Sequence, residues 1–163
     1  MIAKPVIDEP MTAIDGQDKA WMAEALRLAQ LAANEGEVPV GAIVVKQGKI
    51  IGQGWNRNIS QKDPSAHAEI IALRDAGSTM GNHRLPGCTL YATLEPCPMC
   101  AGAMIHARLE RIVFAASDAK TGAAGGCFDL LDHPAHNHTL TVNGGCCAEE
   151  SSLMLKRFFK ARR

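Results

Sequence analysis

The sequence predicts an α/β domain, a mixed sheet with helices on both of its faces. Three observations carry that prediction. Segments with apolar residues at helical spacing alternate with short runs rich in β-branched residues. Gly, Pro and Asp-Pro-Ser clusters punctuate the boundaries between them. The length, 163 residues, suffices for one well-filled core and is short for two.

Taken in order, apolar residues recur from Gln17 to Glu35 (Trp21, Ala25, Leu28, Ala32), and Gly36 and Pro39 follow as stop signals. This is a long amphipathic helix. Val40 to Val45, the turn Gln47-Gly48 and Lys49 to Trp55 read as a hairpin. Its first strand is apolar on both parities, with Ile43 and Val45 on one and Ala42 and Val44 on the other, so both faces are expected to be covered. Arg57 to Ser65 is a polar loop, with Ser65 as N-cap of a helix from Ala66 to about Ala76 that Gly77 closes. Thr89 to Leu94 is a strand, Glu95 and Pro96 turn the chain, and a helix runs from about Pro98 to Ala107. Arg111 to Ala115 and Leu140 to Val142 are further strands around a Gly-rich loop, and Glu149 to Arg162 is a final helix.

Composition bounds the class. Apolar residues make up 47% and charged residues 21%, as in ordinary globular domains. Lys+Arg and Asp+Glu are 17 each, so nucleic acid could be gripped only by a local patch. No stretch is apolar for long enough to span a bilayer, and no membrane partner is expected. Residues 1–16 carry Asp8, Glu9 and Asp15 and read as a flexible leader, not an export signal; residues 17–163 form a single domain. A cytoplasmic, reducing location is the corresponding expectation. Of the six cysteines, Cys88 and Cys127 are expected as small buried residues, and adjacent Cys146 and Cys147 cannot easily chelate one ion.

Two motifs carry chemistry. His67-Ala68-Glu69 and Pro96-Cys97-Pro98-Met99-Cys100 each sit at the start of a predicted helix. Cys97 and Cys100, three apart, can aim both sulfurs at one point, and the helix N-terminus favours thiolates. His67 is the third candidate ligand. Two thiolates, a neutral imidazole and Zn2+ sum to zero charge, and three protein ligands leave an open corner for water, as in catalytic sites. Glu69 beside that water is the candidate proton carrier. Residues two apart on a helix point nearly opposite ways, so His67 and Glu69 share a pocket only if it lies over the helix N-terminus. A structural zinc site with His83, His106, Cys88 or Cys127 as fourth ligand stays open, as do a catalytically silent zinc-binding partner subunit and a thiol–disulfide oxidoreductase using Cys97 and Cys100.

The segments Asp63-Pro64-Ser65-Ala66-His67-Ala68-Glu69 and Thr93-Leu94-Glu95-Pro96-Cys97-Pro98-Met99-Cys100-Ala101-Gly102-Ala103-Met104 resemble the bacterial tRNA-specific adenosine deaminases of the cytidine deaminase superfamily. Val38-Pro39-Val40-Gly41-Ala42, Gly54-Trp55-Asn56-Arg57 and the stretch from Asp118 to Gly125 match as well, so the likeness runs from about Trp21 to Arg163. The resemblance implies a three-layer α/β/α fold with a five-stranded mixed sheet, a homodimer, and one zinc ion per chain. It implies hydrolytic conversion of adenosine to inosine at the wobble position of a tRNA anticodon stem-loop, with Glu69 shuttling protons. By the same carry-over Asn56 and the Ala68 backbone contact the flipped nucleoside, and Val38, Leu94 and Pro96 line the pocket. A splayed-out base needs a cationic grip on its phosphates, for which Lys120, Arg157, Lys160 and Arg162 are candidates, with Phe158 as a further candidate RNA contact, Lys156 and Arg163 in the same C-terminal run, and Arg57 and Arg74 as additions. The rival within the same chemistry is a free-base or nucleoside deaminase acting on guanine or cytosine.

Overall fold

A computed structural model of the chain describes residues 13–163. Residues 1–12 of the expected leader lie outside the described residues. Helix α1 (Gly16–Asn34) opens on Asp15, whose carboxylate accepts from the Asp18 N–H while Asp18 reaches back to the Asp15 N–H, a reciprocal cap. Then follow β1 (Gly41–Lys46), β2 (Lys49–Trp55), α2 (Asn58–Gln61), α3 (Ala68–Met80), β3 (Thr89–Leu94), α4 (Pro98–His106), β4 (Arg111–Ala116), β5 (Thr141–Gly144) and α5 (Ala148–Lys160).

The five strands form one mixed sheet in the order β2-β1-β3-β4-β5. β1 is antiparallel to both β2 and β3, whereas β3, β4 and β5 run parallel. The two parities of β1 feed two cores. Ala42 and Val44 pack with Leu90, Ala92 and Ile112 beneath α3 and α4. Ile43 and Val45 pack with Tyr91, Val113 and Ala115 beneath Met22, Ala25 and Leu28 of α1. α5 lies on the α1 side, against β4 and β3, and buries little beyond Ser151, whose hydroxyl donates to the Thr93 carbonyl. The three-layer arrangement agrees with the sequence expectation. No helix among the described residues is long and apolar enough to cross a membrane.

Several local expectations are corrected. Ser65 is not the cap of α3: its N–H and hydroxyl both donate to Asp63 Oδ1, so the turn ends there and His67 becomes the residue before the helix. Gly77 does not stop α3, which continues to Met80 and closes on Gly81 at φ 66°. The loop after β2 contains the one-turn helix α2. Cys127 is exposed, whereas Cys88 is buried as expected. The last strand is Thr141–Gly144, and α5 ends at Lys160.

One buried ion pair ties the N-terminal helix to the sheet. Asp18 is 3% exposed. It accepts from Tyr91 Oη (2.7 Å) and, bidentately, from Arg111 Nη1 (2.8 Å) and Nη2 (2.9 Å). Burial alone would raise the Asp18 pKa; the Arg111 and Tyr91 bonds outweigh it and hold the carboxyl below its ordinary value. Its stabilisation is therefore complete at neutral pH and fades as pH falls through that lowered value. Asp18→Asn, which leaves Arg111 buried and uncompensated, is expected to cost about 3 kcal/mol in urea unfolding at pH 7. The gap to the native chain should narrow toward pH 3; an unchanged gap at both pH values would refute the pairing.

Candidate metal centre and active site

Both chemistry-bearing motifs sit where a loop enters a helix, at the end of the sheet beyond the C-terminus of β3. His67 precedes α3 with extended backbone (φ −72°, ψ 151°), and Glu69 is the second residue of the helix. Since His67 is not yet helical, the opposed directions of residues two apart in a helix do not apply, and both side chains reach the space over the N-terminus. Cys97 precedes α4 in the same way (φ −73°, ψ 172°), and Pro98 takes the first helical position, where a missing N–H costs nothing. Cys100 lies in the first turn.

His67 Nδ1 is 3.5 Å from Cys97 Sγ and 3.5 Å from Cys100 Sγ. All three atoms lie within 4.8 Å of one another, the one such group of potential ligands among the described residues. Tetrahedral zinc with ordinary Zn–S and Zn–N bonds separates N from S by about 3.6 Å. The donor set therefore fits a single zinc ion in both chemistry and spacing. His83, His106 and Cys127 are exposed and Cys88 is buried, and all four lie outside this group.

The electrostatics match a site built for a cation. Hydrogen bonding from the Cys100 thiol pulls the Cys97 pKa down to about 4 against the cost of burial, helped by His67 and the Cys100 N–H. The thiol of Cys100, sharing its proton with Cys97 and fully buried, is pushed well up. The Cys97 bond, opposed by burial and aided by the Glu69 charge, raises the His67 pKa. Glu69 is 4% exposed, and burial pushes its carboxyl up although the neighbouring Cys100 thiol and His67 ring pull it back.

The surrounding residues are placed by close packing. Asn56, buried at the end of β2, accepts the Ala68 N–H on Oδ1 at 2.8 Å and so caps the first turn of α3 from outside the helix. Gly54 lets α3 lie directly on β2, since a Cβ there would strike the Ala68 carbonyl and the Ala72 N–H. Val38 and Leu94 are half-buried and pack against the cluster that holds Ala68 and Cys100; Pro96 is buried. Thus His67, Glu69, Cys97 and Cys100 share one site, and Asn56 joins it through Ala68.

The cationic candidates are divided. Lys120 shares a concavity of about 820 Å³ with Lys156, Lys160, Arg162 and Arg163, floored by Leu155 and Phe159. Arg157 and Phe158 instead face a separate groove with Gln30 and Ala33 of α1. Arg162 stacks on Phe158 at 3.8 Å and donates to the Gly36 carbonyl at 3.0 Å. Arg57 lies over Trp55, and Arg74 is 3.9 Å from Asp63.

Besides Asp18, sequence reasoning missed two buried acids. Glu37, 2% exposed, accepts from the Ile59 and Ser60 N–H groups at 2.9 Å each and so holds α2 in place. Burial would raise its pKa; those two bonds prevail and keep it below its ordinary value. Glu95, 3% exposed, accepts three backbone N–H groups of the Gly-rich loop. The sole sequence signal for either was a charge beside residues that otherwise pack.

A zinc-dependent deaminase is the class that this sheet and donor set define. The family model for the cytidine and deoxycytidylate deaminase zinc-binding region matches residues 15–116, and the chain belongs to that family. It is 54% identical over 147 residues to the tRNA-specific adenosine deaminase of Haemophilus influenzae, covering 90% of this chain and 85% of that protein. It is 58% identical to the tRNA-specific adenosine deaminase of Buchnera aphidicola, covering 90% and 97%. A solved structure from work on A-to-I editing by tRNA:A34 deaminases at the wobble position superposes with a TM-score of 0.81 at 40% identity, over 83% of this chain and 99% of that one. A guanine deaminase from Nitrosomonas europaea superposes less well, with a TM-score of 0.73 at 27% identity over 86% and 83%.

Removing the Asn56 acceptor strands a buried N–H at the helix that carries Glu69. Asn56→Ala is expected to lose about 1–3 kcal/mol in chemical denaturation. Asn56→Asp, which keeps an acceptor, should lose clearly less; equal losses would mean that the bond to Ala68 contributes nothing.

Proposed function

We propose that this protein is a tRNA-specific adenosine deaminase that converts adenosine to inosine, with release of ammonia, at the wobble position of a tRNA anticodon. The observation that carries the reading is an imidazole nitrogen 3.5 Å from two cysteine sulfurs, with the buried carboxyl of Glu69 beside them. Identities of 54% and 58% to tRNA-specific adenosine deaminases support adenosine in tRNA over a free base.

In this reading His67, Cys97 and Cys100 would hold the zinc ion, which would supply a Lewis acid that makes a water molecule more acidic. Glu69 takes a proton from the water that attacks C6 of adenine and passes it to the ring nitrogen next to C6; it then takes the remaining proton of the new C6 hydroxyl and gives it to the amine, which leaves as ammonia while the C6 oxygen becomes the carbonyl of inosine. Burial raises the proton affinity of Glu69, which suits a group that must accept a proton and hand it on. Asn56, with Oδ1 committed to the Ala68 N–H, keeps Nδ2 to donate to the flipped nucleoside. Val38, Leu94 and Pro96 wall the base, and the Ala68 backbone lies against its edge.

The phosphates are gripped by the concavity of Lys120, Lys156, Lys160, Arg162 and Arg163, with Phe159 available for stacking. Arg157 and Phe158, on the other side of α5, face the groove beside α1. With a formal net charge of zero, the grip must come from local patches, of which this is the most basic concavity among the described residues. The same reading gives a homodimer in the cytoplasm. The open, largely apolar groove of about 790 Å³ between α3 and α4, with Ile70, Leu73 and Ala103, is the surface we assign to the second copy. Sedimentation at twice the 17.4 kDa chain mass is the expected result.

Cys97→Ala is expected to lose the roughly one equivalent of zinc that the native chain binds. Glu69→Ala should keep its zinc and lose turnover by about a thousandfold; substantial activity in that variant would remove Glu69 from proton transfer. Binding of an anticodon stem-loop should weaken steeply with salt, and trimming the chain after Met154 should weaken it further. The deciding assay measures ammonia from an adenosine-containing anticodon stem-loop and, separately, from free adenine, guanine and cytosine. Release from the stem-loop alone supports the reading, and release from a free base with none from RNA replaces it by the free-base deaminase.

A further inference from the structure

Glu95 is a buried carboxylate that the chemistry above does not use. It stands between Leu94 and Pro96, two residues before Cys97, and is 3% exposed. None of the ion pairs among the described residues involves it. Its charge is carried by backbone alone: Oε1 accepts from the Asp118 N–H at 3.0 Å, and Oε2 from the Ala124 N–H at 2.9 Å and the Gly126 N–H at 2.8 Å. A Cβ at Gly122 or at Gly126 would collide with that carboxylate, so glycine at both positions lets the loop close on it. The neighbouring Pro96 carbonyl takes the Ala123 N–H at 2.8 Å. Residues 118–126 are thus wrapped around an anion that the protein itself provides, in the kind of concave N–H array that elsewhere receives phosphate.

Lys120 rides on this loop. Asp118 Oδ1 accepts the Lys120 N–H at 2.9 Å and the Thr121 N–H at 3.1 Å, which fixes the turn whose start Glu95 holds through the Asp118 N–H. From there Lys120 is the one cation of the basic concavity that does not come from α5 or the residues after it. Through Glu95 its loop is tied to the chain two residues before Cys97, whereas α5 reaches the same strand through Ser151 and the Thr93 carbonyl.

We propose that Glu95 is a positioning residue for the polynucleotide substrate: by folding residues 118–126 around its carboxylate it holds Lys120 against the RNA phosphates, in register with the base at the metal centre. Glu95 acts through the loop and touches neither base nor metal. The inference rests on the RNA reading given under Proposed function.

The test is a double-mutant cycle on the full chain with an adenosine-containing anticodon stem-loop, comparing the native protein, Glu95→Gln, Lys120→Ala and the double variant, with zinc content measured for each. Glu95→Gln turns one acceptor into a donor that faces N–H groups. It is expected to raise KM about tenfold while kcat changes less than about threefold. The salt slope of binding should fall by about one in both single variants. The double variant should bind no worse than Glu95→Gln alone, since Lys120 is then already out of place. Additive losses, or a loss in kcat with unchanged KM, would overturn the proposal. If Glu95→Gln loses zinc, Gly126→Ala decides, because it presses on the same carboxylate from the loop side: raised KM with zinc retained supports the proposal, and native KM overturns it. A native protein that releases no ammonia from the stem-loop sinks the RNA reading and this inference together, whereas an active native protein with additive variants sinks this inference alone.

Discussion

The meeting of two helix N-termini over one point is the constraint on which the rest of the molecule depends. α3 and α4 both point the positive ends of their dipoles at the same small volume. Two like partial charges would repel there unless negative groups stood between them. Cys97, held as a thiolate, is such a group, and with Cys100 and His67 it makes a donor set whose two thiolates would neutralise a divalent cation. The parallel pairing of β3 with β4 and the insertion of β1 beside β3 bring both helices to one end of the sheet. The glycines of β2 let α3 settle close enough for a 3.5 Å approach between imidazole and sulfur.

Buried acids organise the remainder. Asp18 clamps α1 to β3 and β4, Glu37 fixes α2, and Glu95 gathers the loop after β4. For Glu37 and Glu95 a desolvated carboxylate is repaid almost wholly in backbone N–H bonds, the groups that irregular segments otherwise leave unpaired. The irregular walls of the site therefore have fixed positions although they contain little regular structure. A site of this kind is preorganised: its buried carboxyl and its candidate ligands are held in place by the fold itself.

Much of this was legible in the sequence because short-range spacing dictates it. Cys97 and Cys100 one helical turn apart, Pro98 at a helix start, and the double-sided apolar pattern of β1 each follow from local geometry. The cap of α3 was misread because Ser65 and His67 compete for that role and the decision falls to Asp63, which takes both Ser65 donors. Gly77 misled for a similar reason: glycine permits a helix stop, but the left-handed residue stands four positions later at Gly81. Glu37 and Glu95 were illegible in principle. Their partners lie 22 to 31 residues away and are backbone groups, which leave no trace in residue type. The C-terminal basic run reads as one patch in a linear sequence, yet the helical turn sends Lys156 and Lys160 to the concavity and Arg157 to the opposite groove.

X-ray absorption at the zinc edge of the native protein tests the central claim most directly. A shell of two sulfurs at about 2.3 Å and one nitrogen with one further light atom at about 2.0 Å is the expected result. Four protein ligands around the ion, or a sulfur count other than two, would contradict an open site built from His67, Cys97 and Cys100.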